Sequence, residues 1–134
     1  MNYVGPGGLP DLAASARTLI FVGTWMAHAE MAIEDGKLKI VKRGTHKFVE
    51  RVDEITFNGR EALKAGKQVY YCANVGTFRL TERGMELVEV MPGIDIDTDL
   101  IAACPMDFLL PESGEVPVVG RDVVTGEGFK LAWE

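Results

Sequence analysis

GPGG at residues 5–8, followed by LPDLAASARTLIFVGTW at 9–25, is the stretch on which the fold turns. It reads as a glycine turn, a short small-residue helix, and a strand that is apolar on both faces. Leu19, Ile20, Phe21 and Val22 run without alternation. Such a run predicts a strand over 18–25 that is covered on both sides, as in a parallel α/β sheet. Pro10 and Asp11 suit a helix start, with the aspartate as cap, and predict a helix over 11–17. A helix that short is not stable alone and has to dock on something. Glycine permits positive φ and removes the Cβ that blocks a ligand. Gly5, Gly7 and Gly8 therefore suit a simple turn, or a pocket that holds an anion or oxyanion with backbone N–H groups. Spacing alone leaves both open. The dinucleotide fingerprint is excluded, because it follows a strand and needs a longer glycine pattern. A glycine loop this close to Met1 predicts a chain that starts partway into a larger unit.

Downstream, Asp35-Gly36 suits a type I′ turn and predicts a hairpin of 30–34 with 37–41. Val49, Val52, Ile55 and Phe57 predict a half-buried strand within 48–57. Asn58-Gly59 opens a helix over 60–65 that Gly66 closes. A short strand follows at 68–72, and then a second hairpin of 77–80 with 85–90 around Glu82-Arg83-Gly84. Asp95, Asp97 and Asp99 lead into a helix over 98–104, stopped by Pro105. Residues 111–134 read as a turn-rich extended tail with one strand near 129–133.

At 134 residues the chain is long enough for one domain with a real core. The net charge of −6 argues against broad attraction to nucleic acid or an anionic membrane. No apolar run approaches the roughly 20 residues that span a bilayer, and MNYVGPGG is unlike a signal peptide. Cys72 and Cys104 are too few for a disulfide framework or a zinc site, so a reducing, cytoplasmic setting is expected.

The other candidate groups read as structural. The three alternating aspartates lack the glycine and distal glutamate of a calcium loop and suit an acidic helix start instead. His28 and His46 have no triad neighbours and read as surface or loop residues. Cys72, at the end of an apolar strand, reads as a buried inert thiol. Lys37, Lys39, Lys42, Arg43 and Lys47 read as the wet face of a hairpin.

In series, these segments resemble the C-terminal part of the second, or β, half of class I CoA-transferases, most of all the acetate/3-ketoacid and propionate group. The matching pieces are GPGG at 5–8, FVGT at 21–24, EDGKLKIVKRG at 34–44, KFVERVDEITFNG at 47–59, FRLTERGMELVEVMPGID at 78–95 and MDF at 106–108. The resemblance implies a NagB/RpiA/CoA-transferase-like α/β fold over 1–110, with 111–134 as an added tail. The reaction it implies is ping-pong. A glutamate carboxylate attacks an acyl-CoA thioester, a mixed anhydride forms, and CoA returns to give an enzyme–CoA thioester. A second carboxylate then accepts the CoA. The oxyanion rests on backbone N–H groups of a G-x-G-G loop, to which Gly5, Gly7 and Gly8 correspond. Pro6 has no N–H, so Gly7 or Gly8 is the donor.

The departures are equally specific. The family's nucleophile lies in a Glu-x-Gly motif upstream of the glycine loop, and no such motif precedes Gly5. Glu34-Asp35-Gly36 has the form but sits in the hairpin turn. Where the family has a Thr-Glu pair after Tyr70-Tyr71, this chain reads Cys72-Ala73-Asn74. The segment after FVGT, often glycine-rich in the family, is Trp25-Met26-Ala27-His28-Ala29. The expected reading is thus an α/β unit with two or three buried parallel strands. It supplies the oxyanion loop, and the catalytic glutamate comes from a companion chain. Acyl-CoA and a carboxylate are substrates, with no covalently bound cofactor and no metal, nucleic acid or membrane partner. Partner association or self-association is expected to cover the open strands. The alternatives are a degenerate module kept for association, and a small-molecule binder that uses the glycine loop.

Overall fold

Residues 18–23 do form a strand, and its surroundings explain the unbroken apolar run. The computed structural model describes residues 5–53 and 55–132. β1 (Thr18–Gly23) lies parallel to β6 (Gln68–Ala73), with Leu19 opposite Val69 and Phe21 opposite Tyr71. β6 pairs antiparallel with β7 (Gly76–Thr81), and β7 with β8 (Gly84–Val90). The sheet order is β1-β6-β7-β8. One parallel strand pair is present among the described residues, so two parallel strands form, the lower of the two or three expected.

Side chains alternate across a sheet, and the register therefore sorts them into two faces. Leu19, Phe21, Val69, Tyr71, Phe78 and Leu87 share the inner face. Above its first half sit α1 (Leu9–Ser15) and α2 (Gly59–Lys64), which bring Ala13 and Ala62 against Leu19 and Val69. The second half forms a larger core from Trp25, Met26, Val75, Phe78, Leu87, Val90 and Leu100. On the outer face, Ile20 and Val22 are 60% and 82% exposed. The expectation that β1 is covered on both faces is therefore corrected. Both helices that reach β1 pack on the same side, and its outer face stays bare.

Several boundaries shift for physical reasons. α1 starts at Leu9, with Gly8 as its N-cap and no side-chain cap; Asp11 lies inside the first turn and does not cap it. Asn58 does cap α2, its Oδ1 accepting from the Arg60 and Glu61 N–H groups. The hairpin of β3 (Glu30–Glu34) and β4 (Lys37–Lys42) forms as expected. Its turn residues Asp35 and Gly36 have φ of 52° and 73°, which a type I′ turn requires. A minor pair of β2 (Met26–Ala27) with β5 (Thr45–His46) precedes an irregular segment. No strand forms within the described part of 48–57. The apolar residues Val49, Val52 and Ile55 recur every third position, whereas a strand needs every second. All three are exposed.

The helix expected over 98–104 is instead a π-helical turn, Ile96–Ile101. The Ala102 N–H reaches back to the Asp97 carbonyl, and Asp95 caps the start by accepting from Thr98. The wide turn places Leu100 fully in the core. After it the chain returns to β8. The Leu87 N–H donates to the Leu109 carbonyl and the Val90 N–H to the Pro117 carbonyl, so these residues line the β8 edge. α3 (Arg121–Thr125) then rests against β4. The strand expected near 129–133 does not form through residue 132, and Trp133 lies outside the described residues.

Asn74 joins the layers. Its Oδ1 accepts from the Trp25 N–H at 2.8 Å, and its Nδ2 lies 2.9 Å from the Met31 sulfur. Asn74→Ala orphans a partly buried backbone donor. The expected cost is about 1–3 kcal/mol in urea unfolding, and Asn74→Asp, which keeps the acceptor, is expected to lose less. Equal losses would show that the hydrogen bond is not what Asn74 contributes.

Candidate functional site

The glycine loop leads directly into α1. Gly5, Gly7 and Gly8 are all exposed. Gly7 has φ of 58°, in the left-handed region that favours glycine. A Cβ built on any of the three meets nothing within 4 Å among the described residues. At Gly5 and Gly8, then, nothing among the described residues demands the missing side chain. The Leu9 N–H donates to the Pro6 carbonyl and the Leu12 N–H to the Gly8 carbonyl, which fixes the loop against the helix. The N–H groups of Gly7 and Gly8 donate to no acceptor among the described residues. Two such donors side by side suit a developing oxyanion. The three candidate glycines thus stand together, on the surface, and line none of the cavities described next.

A recess of about 240 Å³ lies at the carboxyl ends of β1 and β6. Its walls include Phe21, Phe48, Tyr71 and Cys72, with Gly23, Thr24 and Lys47 also lining it. Phe21 and Tyr71 stack at 4.8 Å. Lys47 Nζ donates to Thr24 Oγ1 at 3.2 Å. A second, wider groove of about 640 Å³ runs past Leu9, Phe57, Arg60 and Leu80 and shares Phe21 and Tyr71. Sequence reasoning missed the recess. It placed Lys47 on the wet hairpin face and Cys72 in the core, yet Cys72 is half-buried and lines the recess. The available signal was position: Lys47 follows the Gly44-Thr45 turn and so lies beyond the hairpin.

Burial pushes the Tyr71 phenol above its ordinary value. The folded state then holds this proton more tightly than the unfolded chain does. Stability from this group is full below pH about 10 and falls as pH rises toward the folded value. Urea midpoints measured from pH 8 to 11 are expected to decline less steeply in Tyr71→Phe than in the parent chain. Identical slopes would remove Tyr71 as the cause.

The remaining groups behave structurally. Lys39 pairs with Glu34 at 3.2 Å, Lys42 with Glu30 at 3.5 Å and Arg43 with Asp99 at 2.7 Å, so the hairpin's wet face is largely neutralised. His28 and His46 are exposed. Hydrogen bonds from the Thr98 N–H and hydroxyl hold the Asp95 carboxyl below its ordinary value, as its capping role requires. Burial pushes the Cys104 thiol up, which makes it less nucleophilic. No group of three or more metal-ligating side chains occurs among the described residues. No described helix is long and apolar enough to cross a membrane.

No family model matches the chain. Individual proteins do. The acetate CoA-transferase YdiF of Escherichia coli is 40% identical over 109 residues, which is 80% of this chain and 20% of that protein. A caffeate CoA-transferase of Acetobacterium woodii is 35% identical over 108 residues, again 80% of this chain and 20% of the relative. Among solved structures, the E. coli acyl-CoA transferase YdiF in its thioester complex with CoA superposes with a TM-score of 0.83 at 34% identity, covering 90% of this chain and 23% of that one. Its apoenzyme superposes with a TM-score of 0.84. The chain therefore matches CoA-transferases in sequence and in α/β fold, and it spans about a fifth of the length of the curated relatives it matches.

Proposed function

We propose that this chain, built like one part of a CoA-transferase, works as the glycine-loop segment of an acyl-CoA:carboxylate CoA-transferase. Gly7 and Gly8 hold the developing oxyanion, Gly5 gives the loop its open approach, and the nucleophilic glutamate lies outside these 134 residues. One observation carries this reading. Among the described residues nothing packs against the loop glycines, and at Gly5 and Gly8 no such packing explains them. What explains them is a ligand that approaches the backbone from outside.

The glutamate carboxylate attacks the thioester carbonyl. The carbonyl oxygen becomes an oxyanion beside the Gly7 and Gly8 N–H groups, and CoA thiolate leaves to give a mixed anhydride. The thiolate attacks the glutamyl carbonyl, releases the first carboxylate and leaves a glutamyl–CoA thioester. A second carboxylate reverses the sequence and departs as its CoA ester. CoA is a substrate throughout. A preorganised backbone donor stabilises the oxyanion without reorganising during the reaction, which is why a rigid loop serves better than a mobile side chain.

Association with a companion follows from β1. Its outer face is apolar and bare at Ile20 and Val22, and it pairs with β6 along one edge only. Parallel strand pairs are ordinarily covered on both faces. The rest of a transferase fold, whether in a companion polypeptide or further along the same one, suits that surface. We read residues 1–110 as the transferase-like unit; beyond it, residues 117–119 line β8 and α3 rests against β4. A reducing cytoplasmic setting fits the two free cysteines.

A non-catalytic association module is the second reading. It is favoured by Asn74, which occupies the region of the family's Thr-Glu pair and serves as a structural tie. The test is complementation. The chain is mixed with a polypeptide that carries the upstream Glu-x-Gly motif and is given acetyl-CoA and propionate. Propionyl-CoA is expected only when both are present. A stable complex without transfer supports the module; no complex and no CoA binding by calorimetry overturn the first reading.

A further inference from the structure

We propose that the recess at the carboxyl ends of β1 and β6 binds a carboxylic acid with a compact apolar body, with Lys47 and Thr24 as its recognition pair. Ligands of open α/β sheets sit beyond the carboxyl ends of the parallel strands, and Gly23, Thr24 and Ala73 mark those ends here. The walls are aromatic. Phe21 and Tyr71 stack on one another, and Phe48 also lines the recess.

Lys47 is what polarises the site. In the same basic run Lys39, Lys42 and Arg43 each pair with a carboxylate, while Lys37 and Lys47 make no ion pair among the described residues, and of these two only Lys47 lines the recess. It donates instead to Thr24 Oγ1 at 3.2 Å. An ammonium has three protons and a hydroxyl both accepts and donates. After that one bond, Lys47 keeps two N–H donors and Thr24 keeps its O–H. Together they match the two oxygens of a carboxylate. The volume of about 240 Å³ suits a small acid. A single cation matches one negative charge, where a phosphate dianion needs more, and an amine is repelled.

As a carboxylate site the recess stands on this geometry alone. Its use as the acceptor subsite of CoA transfer rests on the reading proposed above. The experiment therefore involves no CoA. The isotopically labelled chain is titrated with benzoate and, separately, with benzamide, which has the same shape and no charge. Benzoate is expected to shift the amide resonances of Lys47, Phe48 and Tyr71 and to bind about tenfold more tightly than benzamide, since hydrogen bonds to a charged group are the stronger kind. Lys47→Met is expected to erase that difference, Lys47→Arg to keep most of it, and Thr24→Val to reduce it. Equal binding of the two probes, no binding of either, or full discrimination in Lys47→Met each overturns the proposal. None of these outcomes depends on whether the glycine loop takes part in CoA transfer.

Discussion

Gly7→Val is expected to lower the turnover of the reconstituted transferase by about 10²–10³-fold, the loss seen when one oxyanion donor is removed, while assembly with the companion is unchanged. Gly7 sits at φ of 58°, and a β-branched residue is strongly disfavoured there. Valine turns the peptide plane and takes the N–H groups of the loop out of line. The fold has little reason to object, because a Cβ at this position meets nothing within 4 Å among the described residues and the loop is exposed. The expected signature is a fall in kcat with KM nearly unchanged, since the donor acts only as charge develops. Gly8→Ala separates two causes. Gly8 has φ of −82°, which alanine adopts without strain, so any loss of activity there reports crowding of an incoming substrate. Normal turnover in Gly7→Val would show that the loop is only a turn.

Phe78→Ala is expected to cost about 3–5 kcal/mol, a large part of the roughly 5–15 kcal/mol that holds a domain together. Phe78 is 1% exposed. Its ring stacks on Trp25 at 5.3 Å and meets Phe108 edge-on at 5.3 Å. It therefore joins three stretches that are far apart in sequence: the chain after β1, the middle of β7 and the segment that lines β8. Truncation leaves a cavity between the Trp25 and Phe108 rings. Ile20→Ala is the control. Ile20 lies on the bare outer face, so its change in urea midpoint in the isolated chain is expected to stay within about 0.5 kcal/mol. If the two variants were equally stable, the inner face would not be where the core lies.

Local chemistry made part of this fold legible. The run Leu19 to Val22 announces a strand, Asp35-Gly36 a tight hairpin, and Asn58 with Gly66 the two ends of a helix. Each signal is complete within a few residues, and each element formed. The failures are of another kind. Val49, Val52 and Ile55 are apolar enough for a strand, but their spacing is three, and they lie exposed in irregular chain. An apolar run states that a strand wants two covers but not who supplies them; both helices went to the Leu19 side. The Asn74 bond to Trp25 spans 49 positions, and the lining of β8 by residues 109 and 117–119 joins positions that are also far outside one local window. No short window contains either.

The candidate site divides in the same way. Gly5, Gly7 and Gly8 were visible as glycines, and the resemblance assigned them a role. That no described residue packs against their Cβ positions needed coordinates. Lys47 was visible as a charge but not as a partner of Thr24, because that contact depends on where β1 ends and where the chain returns after β5.

The central claim is that this chain provides the oxyanion loop and another polypeptide segment provides the nucleophile. It is tested most directly by finding where CoA becomes attached. The chain and a companion bearing Glu-x-Gly are mixed with acetyl-CoA, quenched, digested and examined by mass spectrometry. The account predicts a glutamyl–CoA thioester on the companion's glutamate and none on any glutamate of this chain, including Glu34 in the hairpin turn, which is held by Lys39. A CoA adduct on Glu34, or on any other residue here, would contradict it.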